Sequence, residues 1–179
     1  PSRGAGKTVF VFPGQGSQWL GMGRELLAAE PVFCRAIEKC DRLIQQFCAQ
    51  NHLSPINLLD ALGSTDDAWD DAWMEEIDRL QPAIFAMQVG LAALWRAWGI
   101  APQAVVGHSM GEVAAAYVAG ALSLEDAVGV ICARSRQLRQ AIGKGVMLVT
   151  GLPLEEALAL ETRYPGRVSV AVSNSPTST

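Results

Sequence analysis

Histidine is nearly missing from this chain. There are two, His52 and His108, in 179 residues, and none follows position 108. The most common general base therefore has only two candidates here. Basic charge is also short, with 14 Lys and Arg against 18 Asp and Glu, a formal net charge of −4. That balance argues against nucleic acid as a partner, because phosphate binding needs a basic surface. The four cysteines, Cys34, Cys40, Cys48 and Cys132, form no C-x-x-C pair. Reduced thiols in a cytoplasmic protein are expected, rather than a zinc site or a disulfide framework. No apolar run reaches the roughly 20 residues of a membrane span. The most apolar stretch, Ala83 to Trp95, is broken by Gln88 and Gly90 and predicts a buried core helix. The polar start, Pro1 to Lys7, lacks the apolar stretch of a signal peptide.

What remains is an ordinary globular composition, 50% hydrophobic and 18% charged, long enough for one domain with a real core. Thr8-Val9-Phe10-Val11-Phe12 predicts a fully buried strand of a parallel sheet, stopped by Pro13-Gly14. Helical spacing follows over Trp19–Ala29, then from Pro31 to about Cys48. Residues 51–73 are polar and weakly periodic, as in short turns and loops. A long helix is expected over Gln81–Trp98 with Pro82 in its first turn and Gly99 as its stop. A strand at 104–106 leads into a helix at 110–119, ended by Gly120. Ser123-Leu124-Glu125-Asp126 resembles a capping box, opening a helix to about Ile142. Gly143-Lys144-Gly145 marks a subdomain boundary. Strand 146–150, helix 153–163 and strand 167–172 are expected beyond it. Strands alternating with helices predict an α/β fold with a largely parallel sheet.

Residues 107–111 read Gly107-His108-Ser109-Met110-Gly111, directly after the apolar run Ala104-Val105-Val106. This G-x-S-x-G pattern predicts a sharp strand–turn–helix that lifts one serine hydroxyl clear of the backbone, with glycines where strand and helix crowd together. A serine nucleophile needs a base. His108 adjoins Ser109 in the turn, so its ring should point away from Ser109 Oγ, and His52 belongs to a polar connector. The choice is then between a serine that is no nucleophile and a base that lies outside these residues. One strand–helix–strand unit over 146–172 would also leave sheet edges open and need partners from elsewhere.

Three glycine-rich segments could suggest nucleotides. Gly4-Ala5-Gly6-Lys7-Thr8 lacks the leading glycine of a P-loop and precedes a strand instead of following one. Gly14-Gln15-Gly16 follows a strand, but Trp19 stands where a dinucleotide fingerprint has its third glycine. Gly21-Met22-Gly23 has no strand directly before it. The Gly14–Gln18 loop is either an ordinary turn or a ligand loop: it lies where α/β folds place ligand sites, and its uncovered backbone N–H groups could face an oxyanion. Arg134 falls about 60° from the centre of its helix's apolar stripe, taking about 100° per residue. A guanidinium there suits a planar carboxylate, or else a structural ion pair with Glu112 or Glu125. On the residues alone, an esterase or thioesterase and a non-catalytic fragment both stay open.

Four motifs in order narrow the choice. They are Val9-Phe10-Val11-Phe12-Pro13-Gly14-Gln15-Gly16-Ser17-Gln18, Leu80-Gln81-Pro82-Ala83, Gly107-His108-Ser109-Met110-Gly111-Glu112 and Gly120-Ala121-Leu122-Ser123. Together they resemble the acyltransferase family of malonyl-CoA:acyl-carrier-protein transacylases, and most closely the acyltransferase domains of modular polyketide synthases. The resemblance runs from about residue 8 onward. It implies an α/β-hydrolase-like core with a nucleophile elbow, followed by a small ferredoxin-like subdomain. On that pattern residues 1–7 end a linker, 8–143 form part of the large subdomain and 144–179 begin the small one. It implies Ser109 as nucleophile, the backbone N–H groups of Gln15 and Met110 as oxyanion hole, and Arg134 as holder of a malonyl-type carboxylate. It implies no bound cofactor or metal, with a coenzyme A thioester as substrate and the phosphopantetheine of an acyl carrier protein as acceptor. Neighbouring synthase domains and the remainder of the same domain are its implied partners. The family's histidine base lies past residue 179, so little or no turnover is expected from residues 1–179 alone.

Overall fold

The computed structural model describes residues 6–16, 18–19, 21–63 and 76–179. Part of the expected linker end and the latter part of the 51–73 connector lie outside the described residues. The chain divides into two compact units, Pro1–Ala141 and Ile142–Thr179.

In the first unit, strands β1 (Val9–Phe12) and β2 (Ala104–Gly107) pair in parallel, with Val9 opposite Ala104 and Phe12 opposite Gly107. The expected full burial of β1 is not found. Val11 is 68% exposed and only Phe12 is buried, because one edge and part of one face of the strand are uncovered among the described residues. Around the strands pack helices α1 (Arg24–Ala29), α2 (Pro31–Gln50), α3 (Leu58–Gly63), α4 (Ile77–Ala97), α5 (Gly111–Val118) and α6 (Leu124–Arg139).

α2 follows its sequence pattern closely. Pro31 occupies its first turn, where a missing N–H costs nothing. Phe33, Ile37, Cys40, Ile44 and Cys48 recur at helical spacing and form its buried face. Asp41 is buried on the same face because its Oδ1 accepts the Leu58 N–H at 2.7 Å, capping the start of α3. α2 ends with His52 at φ 54° and the bonds Leu53 N–H to Cys48 O and His52 N–H to Ala49 O, the double closure of a left-handed helix stop. His52 is exposed.

α4 is the central core helix, buried continuously from Leu80 to Gly90. A Cβ on Gly90 would come within 2.6 Å of the Phe33 ring, so glycine sets how closely α2 approaches α4. The helix begins at Ile77, before its expected start at Gln81, and carries Pro82 inside it. The proline removes one bond near the N-terminus, which burial on all sides outweighs. Arg96 near its end donates to Val118 O at 2.6 Å, capping α5. Conversely, α1 starts only at Arg24, since Gly21 at φ 78° breaks the helical spacing that begins at Trp19. α6 opens as expected, with Ser123 Oγ accepting the Asp126 N–H at 3.0 Å, and ends at Arg139, short of Ile142.

The four cysteines are free thiols. Burial pushes Cys40 and Cys132 up to about 12, so both are neutral packing groups at ordinary pH. Among the described residues no helix is long and apolar enough to cross a membrane.

The second unit departs from expectation. Helix α7 (Leu154–Arg163) forms as anticipated, but residues 146–150 and 167–172 are not strands. The β-branched composition of both segments is real, but neither has a ladder partner among the described residues, and Val146 is 98% exposed. Thr150 and Thr179 instead exchange both backbone bonds, at 2.8 and 3.2 Å, and Glu161 on α7 accepts from Ser169 and Val170.

Candidate active site

Ser109 stands between β2 and α5 at φ 54°, a left-handed conformation that costs a non-glycine residue roughly 1–2 kcal/mol. The turn is tied down on both sides. His108 N–H donates to Phe12 O at 2.9 Å, joining it to the end of β1. Gly111, Glu112 and Val113 donate to His108, Ser109 and Met110 carbonyls at 2.9, 3.1 and 3.1 Å, winding the first turn of α5 tightly. The flanking glycines are required by space. A Cβ on Gly107 would overlap the Glu112 backbone, and one on Gly111 would overlap the Phe12 carbonyl. Ser109 is exposed and Met110 is buried beneath it.

The loop after β1 lies over this turn. A Cβ on Gly14 would come 3.1 Å from His108 Nδ1 and 3.5 Å from Ser109 Cβ. The His108 ring edge therefore lies against that loop. Among the described residues, no acceptor takes the N–H of Gln15 or of Met110. Both belong to the Ser109 neighbourhood, one from the overlying loop and one from the turn itself.

Arg134 comes to the same place from α6. Its Nη2 donates to Ser109 Oγ at 2.9 Å and its Nη1 to Gln81 Oε1 at 2.6 Å. Neither Glu112 nor Glu125 pairs with it; among the described residues, both its acceptors are uncharged. Half-buried, it presents a positive charge that no carboxylate of the described residues neutralises. Of the sequence-predicted residues, Arg134 thus reaches Ser109 Oγ directly, Met110 follows Ser109 in the turn, and Gln15 follows Gly14 in the loop over it.

A large cavity lies elsewhere. About 760 Å³ opens along β1 and α4, lined by Val9, Val11, Trp19, Leu91 and Trp95 among others, and it includes neither Ser109 nor Arg134. Its mostly apolar walls follow from the uncovered side of β1, with Gln18, Glu25 and Gln88 among the polar side chains that line it.

Residues 9–179 match the model of the acyl transferase domain. The chain belongs to the acyltransferase domain family. It is 45% identical over 183 residues to polyketide synthase GfsE of Streptomyces halstedii, covering 100% of this chain and 5% of that synthase. Among solved structures it is similar to the acyltransferase domain from module 8 of the salinomycin polyketide synthase, with TM-score 0.84 and 41% identity. It is also similar to a loading acyltransferase of the avermectin modular polyketide synthase, with TM-score 0.83 and 38% identity. These cover 96% of this chain, and 38% and 52% of the respective solved chains. The chain therefore spans about half or less of the acyltransferase structures it matches.

Two further residues at this candidate site were given no role by the sequence reading, although Gln81 lies within the Leu80-Gln81-Pro82-Ala83 motif. Gln81, 4% exposed, accepts from Arg134 and donates from Nε2 to Gln15 Oε1 at 3.3 Å. Gln88, one heptad along the same face of α4, donates to Pro13 O at 2.7 Å. The available signal was polarity out of place, an amide at two positions of the most apolar helix.

Proposed function

We propose that this chain carries the nucleophile and carboxylate clamp of a polyketide synthase acyltransferase. The reaction is transfer of a malonyl-type extender unit, malonyl or methylmalonyl, from coenzyme A to the phosphopantetheine thiol of an acyl carrier protein, in the cytoplasm. The observation that carries this reading is the 2.9 Å contact between Arg134 Nη2 and Ser109 Oγ. It sets a guanidinium in direct hydrogen-bond contact with the attacking oxygen, a contact that the carboxylate of a short donor acyl group would take over.

In the first half-reaction Ser109 Oγ attacks the thioester carbon. A carbon–oxygen bond forms, the carbon–sulfur bond breaks, and coenzyme A leaves as its thiol after taking up a proton. The proton from Ser109 goes to the family's histidine base, which the resemblance places outside residues 1–179. Negative charge developing on the carbonyl oxygen would be met by the Gln15 and Met110 N–H groups, assisted by the N-terminus of α5. Arg134 would hold the free carboxylate of the donor by a charge-assisted pair, worth about 1.5–3 kcal/mol in a partly buried site. In the second half-reaction the phosphopantetheine thiol attacks the acyl-serine and Ser109 regains its proton.

An esterase or thioesterase would share the first half-reaction and differ in the second. The partition of the acyl group separates them. The intact domain, loaded from malonyl-CoA and mixed with a phosphopantetheinylated carrier protein, is expected to pass most of the acyl group to that thiol. Loss to water as fast as to the carrier protein, followed by mass spectrometry of both proteins, would favour the hydrolase.

A further inference from the structure

We infer that Gln81 is the positioning residue that keeps Arg134 both aimed at Ser109 and electrically uncommitted, and so sets selection for donors that bear a carboxylate. The inference rests on the functional reading above.

The polarity of the hydrogen-bond chain is forced. A guanidinium has only donors, so the atom of Gln81 facing Arg134 Nη1 at 2.6 Å must be Oε1. That leaves Nε2 toward Gln15, whose Oε1 accepts it at 3.3 Å. One buried amide therefore orients the arginine with one end and the loop over Ser109 with the other. At 4% exposure, Gln81 has no water to fall back on, so losing either partner leaves a desolvated polar atom. The partners lie far off in sequence, 66 residues for Gln15 and 53 for Arg134, so α4 is what joins them. Pro82, next in the helix, cannot compete through its own backbone, having no N–H. Gln88, on the same face of α4, fixes the loop again at Pro13 O.

The chemical identity at position 81 matters as much as its place. A carboxylate could hold Arg134 in the same direction more strongly, as an ion pair. It would also neutralise the guanidinium and repel an incoming donor carboxylate. An amide supplies direction without consuming charge. Gln81 acts through Arg134 and touches no reacting atom.

Gln81→Glu in the intact domain adds a charge while keeping the side chain's size and its acceptor for Arg134; it gives up the Nε2 donor to Gln15, a loss that Gln81→Met shares. Initial acylation rates with malonyl-CoA and acetyl-CoA give KM and kcat for each donor. We expect malonyl kcat/KM to fall about tenfold or more, mainly through KM, a change of about 1.4 kcal/mol, while acetyl is nearly unaffected. Gln81→Met, which removes the acceptor without adding charge, should lower the malonyl-to-acetyl ratio as well and stands in if the Glu variant does not fold. A ratio unchanged in both variants overturns the inference. Arg134→Ala is measured alongside. An unchanged ratio there overturns the functional reading itself, whereas a collapsed ratio there with an unchanged ratio in both Gln81 variants overturns only the role of Gln81.

Discussion

Gly111→Ala is expected to cost the intact domain both fold stability and acylation. A Cβ at this position would overlap Phe12 O and come 2.7 Å from Phe12 C and from Pro13 O. Backbone can sometimes shift to admit a methyl, but these carbonyls are already engaged. Phe12 O accepts the His108 N–H at 2.9 Å, and Pro13 O accepts Gln88 Nε2 at 2.7 Å. Moving them pulls the end of β1, the Ser109 turn and α4 out of register together. Overpacking usually costs about 1–3 kcal/mol, and a backbone clash of this kind belongs at or above the top of that range. Each kcal/mol lowers Tm by about 2–4 °C at 150–250 residues and by less in a larger domain, so a fall of several degrees is expected. Acylation should fall with it, since the Ser109 turn rests directly on the displaced strand end. Gly129→Ala is the matched control. Gly129 lies inside α6, and a Cβ there meets nothing within 4 Å. That substitution should be neutral or stabilise by about 0.4–1 kcal/mol. Thermal unfolding and acylation rates of both variants check the pair, and a Gly111→Ala domain matching wild type in both would contradict the close approach of β1 and α5.

Arg134→Ala is expected to change which donors are used far more than whether the domain folds. The side chain is half-buried and its two hydrogen bonds end on uncharged groups, so its loss leaves no orphaned carboxylate among the described residues. What it removes is the charge beside Ser109 Oγ. A pair worth about 1.5–3 kcal/mol corresponds to a roughly tenfold to 150-fold loss in kcat/KM for malonyl-type donors. Acetyl and propionyl donors, which have no free carboxylate, should lose far less. Steady-state rates for the four donors, malonyl, methylmalonyl, acetyl and propionyl, measure this directly. Equal losses on all four would make the arginine a structural residue.

The site was legible in the sequence unevenly, for physical reasons. The Ser109 turn is written in five consecutive residues, with Ser109 at positive φ between two glycines that have no room for a Cβ. Arg134 is different. Helical geometry placed it only at the edge of an apolar stripe, with Glu112 or Glu125 as equally good partners. The family resemblance singled it out, and the structure turns it toward Ser109 and Gln81 instead. Gln81 and Gln88 could be seen as polar interruptions of α4, but the groups they hold are 53 to 75 residues away, beyond any local pattern. The opposite error occurred at 146–150 and 167–172. Composition suggested strands there, yet a strand exists only with a partner, and these segments have none among the described residues. Pro82 misplaced the start of α4 for a similar reason, since tertiary burial overrides a local breaker.

The central claim is that Ser109 takes the acyl group in a site prepared for a carboxylate-bearing donor. Intact-protein mass analysis of the intact domain, after brief exposure to malonyl-CoA and to methylmalonyl-CoA, tests it most directly. The wild-type domain should gain the mass of one malonyl-type acyl group from at least one donor, mapped by peptide fragmentation to Ser109, and Ser109→Ala should gain none. An adduct of the same mass on the folded Ser109→Ala domain, or no adduct on the folded wild type with either donor, would contradict it.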